Sequence, residues 1–482
     1  MAQINLNELD RVEPPAYTVL SEGSLVKVVR MTEEYYLEQE VIPFEHQELH
    51  NEGLPEGDRR LSQPGVNGLQ ETTFQRVFED GQEISNTIVK TTVLQPAVPE
   101  VVMIGSRSSF PSVGIPGKIA YLSAGNAWII EDTTANRRLV VSSGDLDGRI
   151  FSLSPDGKYL LFSRFSQAEN SINELWIASL EGEPPRMIDL GVYDVIHFAV
   201  FNPASNTIGY STVEWRETAP GWQANNDLVE LPIGPDNLPG SVYNVLDSSS
   251  GGIYGWWGTE YMWSPDGGRF LYSRPDGFGI YDVEENTHTS IWNITPYQTG
   301  GNWAWVPGAA WSPDGNIIYG VDYQNQTSTM LAGTDRFDLV AIPLNGGSPV
   351  RLGKNVGMFA YPVPSPLQMV KNFLETTSGT TLEQVSFSIA FLEAIFPEHS
   401  DTSWYRLAVI DRDGSNHKIL FPKEGALGLD PQRVVWSPDP LSADGDFAIA
   451  FIHDGNVWLV STGSGLVQQV TGDGLTSNID WR

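Results

Sequence analysis

Short apolar runs alternate with polar turns through most of the chain, and the turns repeat one another. Trp263-Ser264-Pro265-Asp266-Gly267 recurs as Trp311-Ser312-Pro313-Asp314-Gly315 and as Leu153-Ser154-Pro155-Asp156-Gly157. Shortened copies stand at Phe201-Asn202-Pro203-Ala204 and Trp436-Ser437-Pro438-Asp439. An apolar run follows each copy, at 159–162, 208–210, 270–272, 317–319 and 447–451. Proline presets φ, aspartate bonds its own turn and glycine supplies a positive φ. Ser-Pro-Asp-Gly between two apolar runs therefore predicts a tight turn joining two strands. A third apolar stretch comes next, at 174–178, 278–282, 337–341, 405–409 and 456–460. A polar Gly-containing turn and a short fourth run follow, at 185–188, 350–352, 418–420 and 467–470. Successive prolines from Pro155 through Pro203 and Pro265 to Pro313 are 48, 62 and 48 residues apart. A strand-built repeat of about 40–50 residues predicts a propeller with one four-stranded sheet per blade.

The pattern resembles the WD40-like repeats, also called TolB-like or PD40 repeats. The resemblance implies a β-propeller over 117–482 and no particular activity, since propellers host unrelated functions. The motif Trp and Tyr residues read as packing between blades. The first repeat starts at Gly117 without a motif, and the chain finishes Ser477-Asn478-Ile479-Asp480-Trp481-Arg482, like the start of one more repeat. A ring closed by that last strand leaves no exposed sheet edge. Blades are expected at 117–143 with 477–482, then 147–190, 195–246, 258–294, 307–352, 357–421 and 432–472. That makes seven. Six is the alternative count, because the motif is replaced at 361–366 and decayed at Phe201. Two insertions are expected: 215–261, rich in Gly, Pro and Asn, and 369–382, read as a short helix.

Residues 1–24 read as a polar lead-in, 25–106 as a separate unit and 107–116 as a linker rich in Ser, Gly and Pro. The separate unit alternates apolar and polar positions, at 25–30 and 84–93, without the blade pattern. Val41-Ile42-Pro43-Phe44-Glu45, Leu54-Pro55-Glu56-Gly57, Gln63-Pro64-Gly65-Val66-Asn67-Gly68, Glu79-Asp80-Gly81 and Pro99-Glu100-Val101-Val102-Met103-Ile104-Gly105 follow one another there. Their order and spacing resemble the five-glycine (G5) domain, with Gly57, Gly65, Gly68, Gly81 and Gly105 as its glycines. The glycines read as turn residues of positive φ. The resemblance implies an elongated β module of secreted and wall-associated bacterial proteins, proposed to bind N-acetylglucosamine-containing glycans. The expected fold class is thus all-β: a G5-like module followed by a propeller.

Composition narrows the partners. Against 28 Lys+Arg stand 60 Asp+Glu, a net charge of −32. Nucleic acid and an anionic bilayer both require a basic face and are excluded as expected partners. Cysteine is absent, which removes disulfides and thiolate chemistry. No run approaches the ~18 apolar residues of a membrane span. Met1-Ala2-Gln3-Ile4-Asn5 carries no basic-then-apolar signal. The G5 resemblance nonetheless implies an extracellular, cell-surface or envelope location, with a signal or anchor segment expected outside this sequence.

No G-x-S-x-G, H-E-x-x-H or phosphate loop is present. His46 and His50, and the Asp145–Asp147 and Asp411–Asp413 turns, lack complete ligand sets and read as solvated polar segments. No metal or cofactor is expected. The aromatic clusters carry more. Tyr254, Trp256, Trp257 and Tyr261 precede one motif, and Tyr297, Trp303 and Trp305 precede the next. The segment leading into a blade crosses one rim, so both clusters are expected on one face, near the channel mouth, as a ligand-binding rim. Loops on a rigid scaffold build binding surfaces, and flat rings suit sugars or a protein's apolar anchor. The expected function is a non-enzymatic, exported bacterial cell-surface binding protein. Its G5-like module would contact wall or matrix glycan, and its propeller would present a protein- or glycan-binding face. The alternatives are a carbohydrate-active enzyme using channel carboxylates, or a TolB-like periplasmic interaction scaffold.

Overall fold

The computed structural model describes all residues except 1–3, 16, 52–53, 107–109, 183, 235, 253, 300, 302, 325–334, 373–381, 424 and 443–444. The chain divides into two compact units, Met1–Ser106 and Arg107–Arg482. No helix among the described residues is long and apolar enough to cross a membrane.

In the first unit, Met31–Ile42, Gly68–Glu79 and Gln82–Gln95 form one antiparallel sheet with the Gly68 strand in the middle. Apolar side chains on the outer strands, among them Tyr35, Leu37 and Ile88, remain exposed. Tyr36 stacks on Phe74 at 5.0 Å, and the Arg76 guanidinium lies 4.3 Å from the Tyr36 ring centre. A second sheet sets His46–Asn51 parallel, and Arg59–Gln63 antiparallel, to Glu100–Gly105. The lead-in is not wholly irregular, because Arg11–Glu13 pairs with Lys27–Val29.

The motif glycines divide into two groups. Gly57 and Gly81 both adopt φ 82°, as turns require. Gly65, Gly68 and Gly105 do not, and the turn reading is corrected for them. A Cβ would overlap the Phe44 ring at Gly65, the Gln95–Ala97 backbone at Gly68 and the Pro55 carbonyl at Gly105. These three glycines permit close approach of chain segments.

The second unit repeats one element, an antiparallel four-stranded sheet with its strands in chain order. Sheets 2 to 7 have as first strands Leu146–Leu153, Phe198–Phe201, Glu260–Trp263, Ala309–Trp311, Val363–Pro364 and Val435–Trp436. Sheet 1 holds three strands, in the order Asn126–Val141, Gly114–Ser123 and the C-terminal Thr476–Trp481. The cores lie between consecutive sheets: Leu161, Ile177, Phe201 and Leu231 between sheets 2 and 3, for example.

The motif explains both the turn and the stacking. Ser312 donates its hydroxyl to Asp314 at 2.5 Å and accepts the backbone N–H groups of Asn316 and Ile317, while Gly315 takes φ 69°. Ser154 makes the same three contacts in sheet 2. Each motif indole then reaches the preceding sheet. Trp263 Nε1 donates to the Val200 carbonyl, Trp311 to Met262 and Trp436 to Val363.

Three sequence expectations change. The stretch 113–116 is not linker: Val113 exchanges hydrogen bonds with Thr134, Ile115 is buried, and Trp481 donates to the Pro116 carbonyl at 2.7 Å. The stretch 215–261 is no open insertion, since it contains Leu228–Pro232 and Tyr243–Leu246, the last two strands of sheet 3. The extra structure there is the hairpin Val213–Trp215 with Trp222–Ala224, plus residues 247–252 and 254–259. The helix expected at 369–382 is a hairpin of Gln368–Asn372 with Leu382–Ser386, and 373–381 lie outside the described residues.

Candidate functional site

In a four-stranded meander the connection between strands 2 and 3 lies at the same end as the segment leading into strand 1. The motif turns lie at the other end. Side-chain contacts show that the first set of ends converges from several sheets onto one rim. Trp257, leading into sheet 4, meets Trp222 of the sheet 3 hairpin edge-on at 6.2 Å. Trp222 in turn meets His197, which leads into sheet 3, at 4.8 Å. Trp303, leading into sheet 5, lies over Phe359 at 6.3 Å, and Phe359 stacks on Tyr361 at 6.0 Å. The Arg433 guanidinium covers the Tyr361 ring at 5.3 Å and pairs with Glu260 at 2.9 Å. Glu260 and Arg433 belong to the leading ends of sheets 4 and 7, so this rim turns inward on itself.

Exposure sorts the seven expected site residues. Trp256 and Trp303 are open to solvent, at 38 and 40%. Trp257 and Tyr254 are half-buried around the short turn Gly255–Trp257. Tyr261 belongs to strand Glu260–Trp263 and packs on Phe198 and Phe270; burial, ahead of the nearby Asp227 charge, pushes its phenol up to about 12. Tyr297 packs edge-on against Tyr323 and Phe337, and burial raises its phenol as well. Trp305 is a correction. Its ring is 2% exposed against Phe337, and its indole N–H donates to the Met358 carbonyl at 2.9 Å. It is a core residue that fixes the segment carrying Trp303.

The exposed indoles share one location. Among the described residues Trp215, Trp256, Trp303 and Trp404 are 39, 38, 40 and 39% exposed, and every other Trp is more buried. All four lie on this rim: Trp215 and Trp404 in connections between strands 2 and 3, Trp256 and Trp303 in leading segments. The motif rim carries none.

Several rim residues escaped the sequence reading. Glu260, Tyr361 and Arg433 stand three residues ahead of Trp263, Pro364 and Trp436. The rule that located Trp256 and Trp303, aromatic residues in the segment leading into a sheet, would have found Phe359 and Tyr361 had it been applied to sheet 6; it does not reach Arg433. His197 had no sequence signal. Its Nε2 is buried without a hydrogen-bond partner. Burial, and then the Arg149 charge, lower its pKa to about 4, so the ring is neutral at ordinary pH. His46 lies on a strand and pairs with Glu100 at 2.8 Å; no cluster of metal-ligating side chains occurs among the described residues. Asp145 and Asp147 are engaged by Arg164 and by Ser163 and Asn173.

Fold and rim together define a G5 module followed by a propeller-like unit. Residues 33–107 match the family described as "G5 domain". Among solved structures, the G5 domain of an IgA1 protease is 22% identical, covering 17% of this chain and 94% of that one, with a TM-score of 0.14. The structure described as TolB from Agrobacterium tumefaciens is 21% identical, covering 71% of this chain and 98% of that one, at TM-score 0.37. The periplasmic gluconolactonase PpgL of Pseudomonas aeruginosa is 10% identical, covering 75% and 98%, at TM-score 0.43. None of the curated proteins compared matches the chain.

Proposed function

We propose that this is a non-enzymatic binding protein of the bacterial cell surface. Its G5 module contacts N-acetylglucosamine-containing wall or matrix glycan, and its second unit is a seven-bladed propeller, closed by the C-terminal strand, that presents the Trp-bearing rim to glycan. The G5 domain is typical of bacterial surface proteins and supports the location. The observation that carries the binding face is the concentration of all four open indoles on one rim. An exposed indole costs solvation and offers a sugar ring a flat apolar surface. The enzymatic alternative needs two carboxylates across one glycosidic bond. On the same rim Glu260 is ion-paired with Arg433, and Asp335 accepts the Tyr323 hydroxyl at 2.7 Å.

The test is retention of the whole protein on purified cell wall and on N-acetylglucosamine oligosaccharides, with Trp256→Ala and Trp303→Ala. Each variant should weaken rim binding by about 1–3 kcal/mol if its ring is a hot spot. Variants that fold and bind as the parent does would remove the rim from the reading. Retention by an isolated 1–106 fragment would separately measure the G5 contribution.

A further inference from the structure

Two supports hold the segment that carries Trp256 against the sheet 3 hairpin. The first is Asn226, 6% exposed, just past the hairpin at φ 50°, a conformation Asn tolerates better than most side chains. Its Nδ2 donates to the Gly255 carbonyl at 2.8 Å and also reaches the Ala224 and Ser249 carbonyls at 3.3 and 3.4 Å. Its Oδ1 accepts the Thr259 hydroxyl at 3.3 Å. A Cβ at Gly251 would stand 2.5 Å from this amide, so the segment closes tightly over it. These are neutral hydrogen bonds, and Asn226 does not titrate.

The second support is the His197 ring. It meets Trp222 edge-on at 4.8 Å, and Trp222 meets Trp257. Gly258 packs on the same ring: a Cβ there would stand 2.8 Å from His197 Cδ2, 2.9 Å from Nε2 and 3.1 Å from the Ala224 methyl. Nε2 is buried at this contact with no hydrogen-bond partner. With its proton on Nδ1, the neutral ring presents only a lone pair there. A second proton would place a donor and a charge at a buried position that offers no acceptor. The surroundings do not compensate. Arg149, on the first strand of sheet 2, bears on the ring with a charge of the same sign. The acids of the neighbouring elements are engaged: Asp147 by Ser163 and Asn173, Asp194 by Ser171 and the Ile172 N–H, Asp227 by Ser211 and Thr212, Glu214 by Arg216 and Glu260 by Arg433. Asp247, the segment's own acid, precedes Ser249, the first residue that Asn226 reaches.

We propose that His197 is an acid-operated latch: protonation expels its ring from the contacts with Trp222 and Gly258 and frees the Trp256 segment, while the four strands of sheet 3 stay paired. The direction follows from linkage. The closed state holds the ring neutral, with a pKa of about 4, against the ordinary 6.5 once the ring reaches water. Closure is therefore favoured above about pH 6.5 and weakens as pH falls towards 4. Where Trp256 holds a ligand on the rim, acid releases it; that consequence, unlike the latch itself, rests on the rim reading.

The test is hydrogen exchange of the whole, ligand-free protein, read by mass spectrometry at pH 7 and pH 5 and corrected for the intrinsic pH dependence of exchange. The reporting amides are in place: Asn225 donates to the Thr212 carbonyl and Gly258 to the Gly255 carbonyl. Peptides covering 213–225 and 254–259 should lose protection about tenfold on acidification. Peptides from the strands Tyr159–Phe165 and Ile317–Gln324 should keep theirs. His197→Leu and His197→Phe cannot be protonated, so their hairpin and segment peptides should exchange alike at the two pH values. If one variant fails to fold, the other gives the reading, and the parent alone still decides. Parent peptides that stay protected at pH 5, or that lose protection together with the strands of every sheet, would overturn the latch. Variants that open in acid as the parent does would overturn it as well, because another group would then be the sensor. No ligand is present in these measurements, so Trp303-dependent retention on cell wall at pH 7 tests the rim reading separately.

Discussion

Trp303 and Trp305 are two residues apart and have opposite fates. Trp305 fills the space between sheets 5 and 6 with its N–H satisfied, whereas Trp303 stands open over Phe359. Replacing Trp305 by Ala should therefore cost about 3–5 kcal/mol of stability, as a large-to-small change in a core. Trp303→Ala should stay within about 0.5 kcal/mol of the parent, the range of surface substitutions. Thermal unfolding of the two variants separates these outcomes, and equal destabilisation would contradict the assignment. Nothing in the sequence distinguishes the two indoles, because both precede the same motif. Only the packing of Phe337 and Met358 from later in the chain decides. His197 permits a second test at this scale. Its pKa falls from the ordinary 6.5 to about 4 in the folded protein, so the folded state holds it neutral. The associated stability is present above the unfolded value and is lost as pH falls from about 6.5 through 4. The melting temperature should show a component that is flat above pH ~7 and declines below ~6.5. That component should be missing from His197→Leu, read as the difference between parent and variant, which cancels the carboxylates common to both.

At the scale of the element, the Ser-Pro-Asp-Gly turn carried the fold. Its serine hydroxyl is buried and accepts two backbone N–H groups, those of Ile317 and of Asn316, the latter shared with the Asp314 carboxylate. Ser312→Ala should cost about 1–3 kcal/mol, because the Ile317 N–H loses its hydroxyl acceptor and the Asp314 carboxylate loses its hydroxyl donor; a chemical-denaturation midpoint matching the parent's would show that water replaces the hydroxyl. The strands flanking each turn were legible because Pro, Asp and Gly act locally, within five residues. Elements set by long-range contact were not. The helix expected at 369–382 is a hairpin in its described part, where pairing across the turn prevails over local propensity. The G5 glycines show the same division. Gly57 and Gly81 serve local φ. Gly105 is required by Pro55, fifty residues earlier, which no local pattern can reveal. Of the candidate site, the leading segments of sheets 4 and 5 were legible through their tryptophans. Phe359 and Tyr361 ahead of sheet 6 were open to the same rule, whereas Arg433 ahead of sheet 7 gains its meaning only from Glu260 and Tyr361 across the rim.

For the second unit as a whole, the remaining question is how sheet 1 is held together by residues from the two ends of the unit. The strand Thr476–Trp481 pairs antiparallel with Gly114–Ser123, and Lys118 and Arg482 exchange backbone hydrogen bonds at 2.6 and 3.0 Å. Trp481 is 1% exposed, and its N–H reaches Pro116. Asp480 extends the attachment to the next sheet by accepting the Leu153 N–H at 2.7 Å. Without 476–482, Gly114–Ser123 would present an unpaired strand edge and a vacated indole site at the interior of the unit. An edge of that kind invites pairing with other chains. Deletion of 476–482 should therefore abolish the parent's cooperative melting transition or yield oligomers on size exclusion. Trp481→Ala, which keeps the strand, should lose about 3–5 kcal/mol and stay monodisperse. A synthetic peptide of residues 476–482 added to the deletion variant should restore part of the lost transition if the defect is the missing strand alone. A deletion variant that melts like the parent would show that the second unit does not depend on this strand, and the proposed seven-bladed closed arrangement would have to be abandoned.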